Sequence, residues 1–268
     1  MIESIVSVLL IAAVLYILSV GGRSGHPNLQ TLRSHAYAHR GLHNHTRPEN
    51  SLSAFRAARE KGYGVELDVH LLSDGTLAVF HDHTLIRMTG QNGKIEDLTA
   101  EDLAAYTLGD TTETIPTFRE VLDVFGNAVP LIVELKAAGN HRELVHATVK
   151  ALEEYEGPYC IESFDPRCLW YLRRDFPHIV RGQLAQDFFK NKEDLSAPIR
   201  FVLTHLLTNF LTRPDFVAYR FTDRNALSVR IARKLWRVQG VVWTLTDPEQ
   251  HRTALEENFI PIFEEYEP

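Results

Sequence analysis

The sequence predicts an α/β fold, a closed (β/α)8 TIM barrel, and three observations lead to this prediction. After residue 35, eight short apolar runs alternate with segments of helical pattern, and eight is the number of parallel strands that such a barrel needs. The chain has 268 residues, of which 44% are hydrophobic and 24% charged, so one large globular domain is possible. Polar residues stand in and after several of the apolar runs, where a closed core would not accommodate them. We therefore expect a barrel with a polar mouth.

A transmembrane anchor is predicted for residues 1–22. Residues 5–20 contain only Ile, Val, Leu, Ala, Tyr and two Ser, a run at the short end of what spans a bilayer core of about 30 Å. No basic residue precedes the run, so it lacks the usual start of a cleavable signal peptide. Basic residues follow it, beginning with Arg23, and the positive-inside rule then predicts a single-pass membrane protein with its domain in the cytoplasm.

A linker is predicted for residues 23–34 and the barrel domain for residues 35–268. The linker is short and rich in Gly and polar residues, which suits a tether between an anchor and a domain. Residues 84–115 are predicted to be a small insertion after the hairpin of the second strand, because such barrels tolerate additions at the mouth. Gly, Asn and acidic residues in this insertion indicate loops around one short helix.

A second addition is predicted for residues 188–214. Two interpretations stay open for the helix expected over residues 201–211: packing against the barrel, or contact with a bilayer or a substrate acyl chain. The helix is indicated by apolar residues at spacings of three and four, namely Leu203, Leu206, Leu207, Phe210 and Leu211.

The remaining elements follow in chain order. The eight predicted strands are residues 36–39, 65–69, 131–135, 159–163, 180–184, 216–219, 241–245 and 260–263. Asn50 is predicted to cap the first helix of the barrel. Thr99 with Asp102, and Thr117 with Glu120, fit the capping-box pattern of a helix start.

The most informative stretch runs from Glu66 to Asp82 and is predicted to form two strands joined by a tight turn. Asp74-Gly75 between apolar runs is a strong signal for a two-residue hairpin, because Gly supplies the positive φ of a primed turn. With that turn, Asp68 lies directly opposite His81. Side chains alternate along a strand, so Glu66 and Asp68 share one face. Two carboxylates and an imidazole are therefore predicted to converge.

Five motifs in a fixed order are the most specific feature of the sequence. They are His39-Arg40-Gly41, Pro48-Glu49-Asn50, Glu66-x-Asp68, the run from Ser73 to Asp82, and Glu134-x-Lys136. Together they resemble the glycerophosphodiester phosphodiesterase family, over roughly residues 35 to 265. The resemblance implies hydrolysis of glycerophosphodiesters to glycerol 3-phosphate and an alcohol. One departure follows the last strand, where members of the family commonly have a run like Asp-Gly-Ile-Ile-Thr-Asp and this chain has Glu264-Glu265-Tyr266-Glu267-Pro268.

A divalent cation site is predicted at the carboxyl ends of the strands, which meet at one mouth in a barrel of this kind. Glu66, Asp68 and Glu134 offer hard oxygen ligands that suit one divalent cation, Mg²⁺ or Ca²⁺. Arg40 and Lys136 are the predicted substrate-binding cations. If these groups take their usual protonation states, three carboxylates, one divalent cation and two basic side chains leave one positive charge for a phosphodiester anion.

His39 and His81 are the candidate catalytic residues, because a neutral imidazole can take or give a proton near neutral pH. The resemblance implies that one activates the nucleophile while the other protonates the leaving alkoxide. The sequence does not say which does which, nor whether water or a neighbouring glycerol hydroxyl attacks first. Trp243 is predicted to bind substrate by stacking on the glycerol, with a core position as the alternative, and Glu49 either contacts the site or favours a helix start.

Other functions are weighed against this one. A lysophospholipase D or a phospholipase C-like phosphodiesterase would use the same barrel, with a lysophospholipid in place of the soluble substrate or with different products. A catalytically silent module that binds phospholipid headgroups would have lost a ligand or an imidazole, and no such loss is visible. The net charge of −7 argues against nucleic acid as a partner. Cys160 and Cys168 are predicted to be buried thiols.

Overall fold

The computed structural model describes residues 1–190 and 195–268, and its strands close into the predicted (β/α)8 barrel. The strand order is β1-β9-β8-β7-β6-β5-β4-β2-β3, and β1 also pairs with β2, which closes the ring. All pairs are parallel except the one between β2 and β3. The strands are β1 Tyr37–His39, β2 Gly64–Leu71, β3 Leu77–Val79, β4 Leu131–Leu135, β5 Tyr159–Ser163, β6 Arg181–Ala185, β7 Phe216–Arg220, β8 Gln239–Leu245 and β9 Phe259–Phe263.

Helices surround the barrel. They are α1 Ile2–Ser19, α2 Leu29–Arg33, α3 Leu52–Lys61, α4 Ile86–Thr89, α5 Phe118–Phe125, α6 His141–Leu152, α7 Pro166–Asp175, α8 Ala197–Thr204, α9 Asn209–Thr212, α10 Leu227–Lys234 and α11 Pro248–Glu256, with short 3₁₀ turns at Ile95–Asp97, Asp102–Ala105 and Phe221–Asp223. The capping box of Thr117 and Glu120 is present at the start of α5. The Thr99 N–H donates to the Asp102 carboxylate at the start of the second 3₁₀ turn. The pattern of Thr99 and Asp102 therefore starts a 3₁₀ turn and not an α-helix.

The prediction that Asn50 caps a helix is wrong. Ser51 caps α3 instead, accepting a hydrogen bond from the Ala54 N–H. Asn50 takes a positive φ of 55°, a conformation that Asn tolerates better than most residues. Its side chain is thereby released from the helix and points elsewhere.

The two faces of β2 separate core from site. Val65, Leu67 and Val69 are buried against the surrounding helices in the largest apolar cluster. Glu66 and Asp68 lie on the opposite face, inside the barrel. This alternation follows from the strand geometry and confirms that the two carboxylates share a face.

The amino end of the barrel is closed by α2. Leu29 and Leu32 of this helix are buried together with Tyr37 and Ile132, and the Tyr37 hydroxyl donates to the Leu32 carbonyl at 2.9 Å. Residues 23–34, the predicted linker, therefore pack on the barrel. Burial of these apolar side chains holds the segment in place.

Helix α1 is long and apolar enough to cross a membrane. It has 18 residues and a mean hydropathy of 2.3, and none of that span is buried. A signal sequence near an amino terminus shares these properties. The predicted cytoplasmic side of the domain stays a prediction.

Arg23→Ala is expected to lower the free energy of unfolding by about 3 kcal/mol, because it removes the cation that binds both oxygens of the fully buried Asp215 carboxylate. Arg23 binds both oxygens of Asp215, at 2.6 and 2.7 Å. Thermal unfolding of the full chain in detergent measures the loss. The double variant Arg23→Met with Asp215→Asn should recover part of it, since the uncompensated charge is then gone. An unchanged melting temperature in Arg23→Ala would contradict a contribution of the Arg23–Asp215 ion pair to the fold.

The predicted hairpin register is wrong by one residue. Val69 pairs with Val79, so Phe80 rather than His81 stands opposite Asp68, and the Phe80 N–H donates to the Asp68 carbonyl at 3.1 Å. The loop has three residues, closed by a 2.8 Å bond from the Leu72 N–H to the Thr76 carbonyl.

A local bond favours this longer loop. The Asp74 carboxylate accepts from the Thr76 N–H at 2.9 Å, and Gly75 takes the positive φ of 86° at the third loop position. A three-residue loop that ends in a left-handed Gly is the next commonest hairpin connection. The same carboxylate accepts from the Ala100 N–H in the insertion, a contact that the hairpin signal alone does not contain.

The insertion forms loops around short helical segments, with its own apolar cluster. The prediction of one continuous amphipathic helix over residues 201–211 is wrong, because α8 ends at Thr204 and Leu206 has a φ of 56°. The Thr204 carbonyl accepts from the Tyr219 hydroxyl at 2.9 Å, which gives it a partner outside the helix. Leu206 is buried while Phe210 is half exposed, so the apolar residues do not share one face.

Candidate active site

Parallel register brings polar residues from four neighbouring strands to one mouth. His39 of β1 pairs with Glu66 of β2, and Asp68 pairs with Glu134 of β4. Glu134 in turn pairs with Glu162 of β5. Neighbours in a sheet lie about 5 Å apart, so residues distant in sequence become adjacent here.

The three predicted metal ligands form a compact cluster. Glu66, Asp68 and Glu134 are buried, and each offers an oxygen within 4.8 Å of the others. Burial, with the charge of Asp68, raises the pKa of Glu66 well above its usual value. Burial likewise raises the pKa of Glu134 to about 7. Carboxyl groups crowded in this way hold protons unless a cation replaces them.

Asp68 remains ionised within the cluster. Burial opposes its ionisation, but Lys136 and His81 hold the pKa of Asp68 well below its usual value. Buried carboxylate oxygens, some ionised and some holding protons that a cation can displace, are a donor set that Mg²⁺ and Ca²⁺ prefer. The residues present therefore fit a divalent cation.

Sequence reasoning missed a fourth carboxyl beside the cluster. Glu162 is buried, and its Oε2 atom has no hydrogen-bond partner among the described residues. Burial, together with the charge of Glu134, raises the pKa of Glu162 well above its usual value. A signal was present in the sequence, since Glu162 stands near the carboxyl end of a predicted strand, as Glu134 does.

The two predicted substrate-binding cations contact the carboxylates. Lys136 Nζ lies 3.1 Å from Asp68 Oδ1 and 2.8 Å from Glu134 Oε1. The Arg40 guanidinium lies 3.6 Å from Asp68 and donates to Glu49 at 2.9 Å. Both cations are mostly buried beside the cluster, and Glu49 does reach the site.

Asn50 is a site residue that sequence reasoning placed at a helix cap. Its side-chain amide donates to Asp68 Oδ2 at 2.8 Å, and its backbone N–H donates to the Arg40 carbonyl at 2.9 Å. The left-handed backbone at Asn50 aims the amide at Asp68. The bond fixes the orientation of one predicted ligand.

His39 pairs with a carboxylate from the far end of the chain. Its Nδ1 lies 2.6 Å from Glu264 Oε2, just after β9 in the run that departs from the family pattern. Burial lowers the pKa of His39, against the raising effect of Glu264, so the imidazole is neutral at neutral pH. A carboxylate only accepts, hence His39 donates through Nδ1 and leaves Nε2 as the acceptor.

His81 has a similar arrangement. Its Nδ1 lies 2.5 Å from Asp82 Oδ1, and Asp82 is itself held by Arg87 at 2.6 Å. Burial lowers the pKa of His81 to about 4, assisted by Lys136. The charge of Asp68 acts on His81 as well, which places this imidazole beside the cluster despite the shifted hairpin register.

Trp243 lies at the mouth but is anchored in the barrel wall. Its ring packs edge-on against Phe164, with centroids 5.6 Å apart, and its N–H donates to the Ala218 carbonyl at 3.2 Å. The predicted contact with substrate stays a prediction.

Two further groups of His and Glu lie within ligand distance of each other. One is His39, His43 and Glu264, and the other is His70, His83 and Glu96. In the second group, Glu96 accepts from both imidazoles, at 2.8 and 2.5 Å. In the first group His39 Nδ1 lies 2.6 Å from Glu264 Oε2, and His43 Nε2 lies 3.7 Å from the same oxygen.

Glu264→Gln is expected to reduce kcat by roughly 10-fold to 100-fold with little change in KM, because an amide can turn its N–H toward His39 and select the wrong tautomer. Glu264 is a positioning residue, so the pH dependence of kcat should shift as well. Steady-state kinetics over pH 5 to 9 measure both effects. Glu265→Gln, the exposed neighbour, is the control. A KM effect alone would contradict the positioning role.

Comparison with known proteins shows which family and which relatives this chain resembles. The glycerophosphoryl diester phosphodiesterase family matches residues 39–265. The chain is 36% identical over 160 residues to a glycerophosphodiester phosphodiesterase of Caldanaerobacter subterraneus, an alignment that covers 56% of this chain and 65% of that relative. It is 34% identical over 155 residues to human glycerophosphodiester phosphodiesterase 1, an alignment that covers 53% of this chain and 46% of that relative. The chain thus spans less than two thirds of these curated relatives.

Solved structures agree on the fold. An Oleispira antarctica phosphodiesterase in complex with sn-glycerol-3-phosphate superposes with a TM-score of 0.71 at 24% identity, covering 87% of this chain and 93% of that one. A glycerophosphodiester phosphodiesterase of Thermotoga maritima superposes with a TM-score of 0.64 at 27% identity, covering 85% of this chain and 93% of that one. With five motifs in order, a closed barrel and a family match over most of its length, the chain belongs to the glycerophosphoryl diester phosphodiesterase family.

Proposed function

We propose that this protein hydrolyses glycerophosphodiesters to glycerol 3-phosphate and an alcohol, using one divalent cation, Mg²⁺ or Ca²⁺. One observation carries the proposal: two imidazoles, each with Nδ1 bound to a carboxylate, lie beside three clustered carboxylates and two buried cations. The Oleispira antarctica structure, which holds sn-glycerol-3-phosphate, supports the same product for this chain.

Glu66, Asp68 and Glu134 would hold the cation. When bound, a divalent cation supplies positive charge that polarises a phosphoryl oxygen and stabilises the transition state. Asn50 keeps Asp68 in one orientation. Lys136 contacts two of the three carboxylates, so it balances their charge.

Arg40 and Lys136 would attract the phosphodiester anion and stabilise the charge that develops on its oxygens. Of His39 and His81, one accepts the proton of the attacking hydroxyl at Nε2. The other is neutral at rest, so it first takes up a proton from solvent at Nε2 and then donates that proton to the leaving alkoxide. Glu264 holds His39, and Asp82 holds His81, in the tautomer with the proton on Nδ1 and the acceptor at Nε2. Each carboxylate also stabilises the imidazolium that forms.

A direct test is a product assay with the full chain in detergent. Glycerophosphocholine and glycerophosphoethanolamine are incubated with Mg²⁺, with Ca²⁺, or with a chelator, and the products are identified by mass spectrometry. We expect glycerol 3-phosphate and the free alcohol in the presence of a cation. A cyclic glycerol phosphate as the end product would indicate a lyase reaction, and phosphocholine would indicate cleavage of the other phosphorus–oxygen bond. No product with either cation would favour a binding module.

The membrane anchor is part of the proposal. Helix α1 supports a single-pass membrane protein by its length and composition, and the basic residues after it favour a catalytic domain in the cytoplasm. Protease protection in sealed vesicles tests that orientation.

A further inference from the structure

Helix α1 is fixed to the barrel wall at its end. The Trp236 indole N–H donates to the Ile17 carbonyl at 2.9 Å, and the Asn209 amide donates to the Val20 carbonyl at 3.3 Å. Val20 has no exposed surface, and a Cβ added to Gly21 would stand 2.9 Å from the Trp236 ring. The position of α1 relative to the barrel is therefore set by contacts.

The direction of α1 follows from the end of the strands at which each contact lies. The Tyr16 hydroxyl lies 3.3 Å from Nδ1 of His205. The preceding residue, Thr204, accepts through its carbonyl from the hydroxyl of Tyr219, near the carboxyl end of β7. A Cβ on Gly22 would collide with the carbonyl of Pro214, which precedes β7. The chain thus runs from the catalytic side of the barrel toward its amino end. Residues 2–15, all exposed, project toward the catalytic side.

An apolar groove of about 700 Å³ opens on that same side. Phe164 after β5 and Phe188 after β6 line one part of it, and Ile199 and Val202 of α8 line another. The remaining lining is half apolar, with Pro166, Leu195, Pro198 and Leu203, and half polar, with His83, Asp165, Arg167 and Thr208. The apolar part of the groove suits an alkyl chain better than a glycerol or a phosphate, whose polar groups would lose hydrogen bonds to water there.

The groove is connected to the candidate active site. Phe164, in its wall, packs against Trp243 with ring centroids 5.6 Å apart, and it stands two residues after the buried Glu162. His83, two residues after His81, also lines the groove. A ligand with its phosphodiester at the carboxylate cluster can therefore extend an attached chain into the groove.

Exposed apolar side chains continue from the groove toward α1. Ile199 is 47% exposed, Phe201 is 50% exposed and Phe189 is 48% exposed. The Phe201 ring packs on the His205 ring, with centroids 4.5 Å apart, and His205 contacts Tyr16 of α1. Ring contacts thus lead from Tyr16 of α1 through His205 to Phe201, beside the groove.

We infer that the docked anchor holds the barrel mouth against the bilayer and that the groove takes the single acyl chain of a lysophospholipid drawn from it. The inference rests on the proposed phosphodiesterase activity and names its substrate class. The bilayer explains both the exposed apolar rim and the direction of α1. Burial of an acyl chain stabilises the complex in proportion to the apolar surface removed from water.

The reaction is the same one, with an acylated glycerol. Water adds to phosphorus, the bond from phosphorus to the headgroup oxygen breaks, and the headgroup alcohol leaves with one proton. The products are a monoacylglycerol 3-phosphate and the alcohol, and no oxidant or further reactant is required.

The test compares two substrates that differ by the acyl chain. The full chain in vesicles of diacyl phosphatidylcholine is given lysophosphatidylcholine in the same vesicles, or soluble glycerophosphocholine. Ile199→Asn should lower kcat/KM for lysophosphatidylcholine about tenfold and leave hydrolysis of glycerophosphocholine unchanged. Leu255→Asn, a change of the same kind at a side chain of similar exposure on α11, should affect neither substrate. Equal losses for both substrates, or no loss for either, would overturn the inference.

A second readout does not depend on catalysis. Lysophosphatidylcholine brominated on its acyl chain should quench Trp243, measured as the difference between the wild type and Trp243→Phe. Ile199→Asn should reduce that quenching, and Leu255→Asn should not. If the wild type hydrolyses neither substrate but Trp243 is quenched and Ile199→Asn reduces that quenching, the proposed function fails and the acyl groove stands. If glycerophosphocholine is hydrolysed and quenching is absent, the groove inference alone fails.

Discussion

Glu66→Gln, Asp68→Asn and Glu134→Gln are each expected to remove cation-dependent activity, a loss of roughly 1,000-fold or more. Each substitution replaces an anionic oxygen by a neutral amide in a cluster whose oxygens lie within 4.8 Å of one another. Affinity for a hard cation falls with each anionic ligand lost. Calorimetric titration of the full chain with Mg²⁺ and with Ca²⁺ measures the affinity, and product assays measure the activity.

The matched comparison is Glu162→Gln. It removes a buried carboxyl beside the cluster that lies outside the predicted ligand set, so we expect cation affinity to be retained. Unchanged affinity in all three ligand variants, with a loss only in Glu162→Gln, would move the cation site toward β5. Melting temperatures without cation control for misfolding. That of Glu66→Gln should not be lower than that of the wild type, because Glu66 holds a proton in the absence of a cation and Gln is a neutral group of the same shape.

The same cluster predicts how pH affects cation binding. Without a cation, Glu134 has a pKa raised to about 7, chiefly by burial, so it holds a proton over much of the range below pH 7. A cation must displace that proton, hence affinity should weaken as pH falls from 8 to 6. Titration in buffers of different ionisation enthalpy reports the protons released. Binding without proton release at pH 6 would contradict the role of Glu134 as a ligand.

His39→Ala and His81→Ala are expected to lose turnover by roughly 100-fold or more while they keep cation affinity. Both imidazoles are neutral at neutral pH, since burial lowers both pKa values, and neither belongs to the carboxylate cluster. The two sets of variants should thus separate in calorimetry. Loss of cation affinity in both His variants would make the imidazoles ligands instead.

A substrate with a good leaving group separates the two imidazoles. A glycerol phosphodiester of p-nitrophenol releases an anion that needs little protonation, so the imidazole that acts as general acid should matter less with this substrate. The other should show its full defect. Equal defects for both variants with both substrates would contradict the division into acid and base.

Local patterns in the sequence were sufficient for the barrel and for grouping most residues of the candidate site. Apolar runs that alternate with helical segments predict the eight parallel strands, and alternation along β2 predicts that Glu66 and Asp68 share a face. Because strand ends meet at one mouth, residues that follow different strands can be grouped without knowing any distance. His39, Arg40, Glu134 and Lys136 were placed in this way.

Only the tertiary structure decided the details that depend on partners far along the chain. Glu264 reaches His39 across 225 residues, and no local pattern links the two. Asp74 binds the insertion as well as its own turn, which sets the hairpin register one residue from the prediction. The Trp236 and Asn209 contacts that fix α1 to the barrel wall likewise join opposite ends of the chain. The sequence by itself determined the barrel strands and which residues follow them, because these depend on periodicity. Register, side-chain pairing and the direction of α1 depend on contacts that exist only once the barrel has closed.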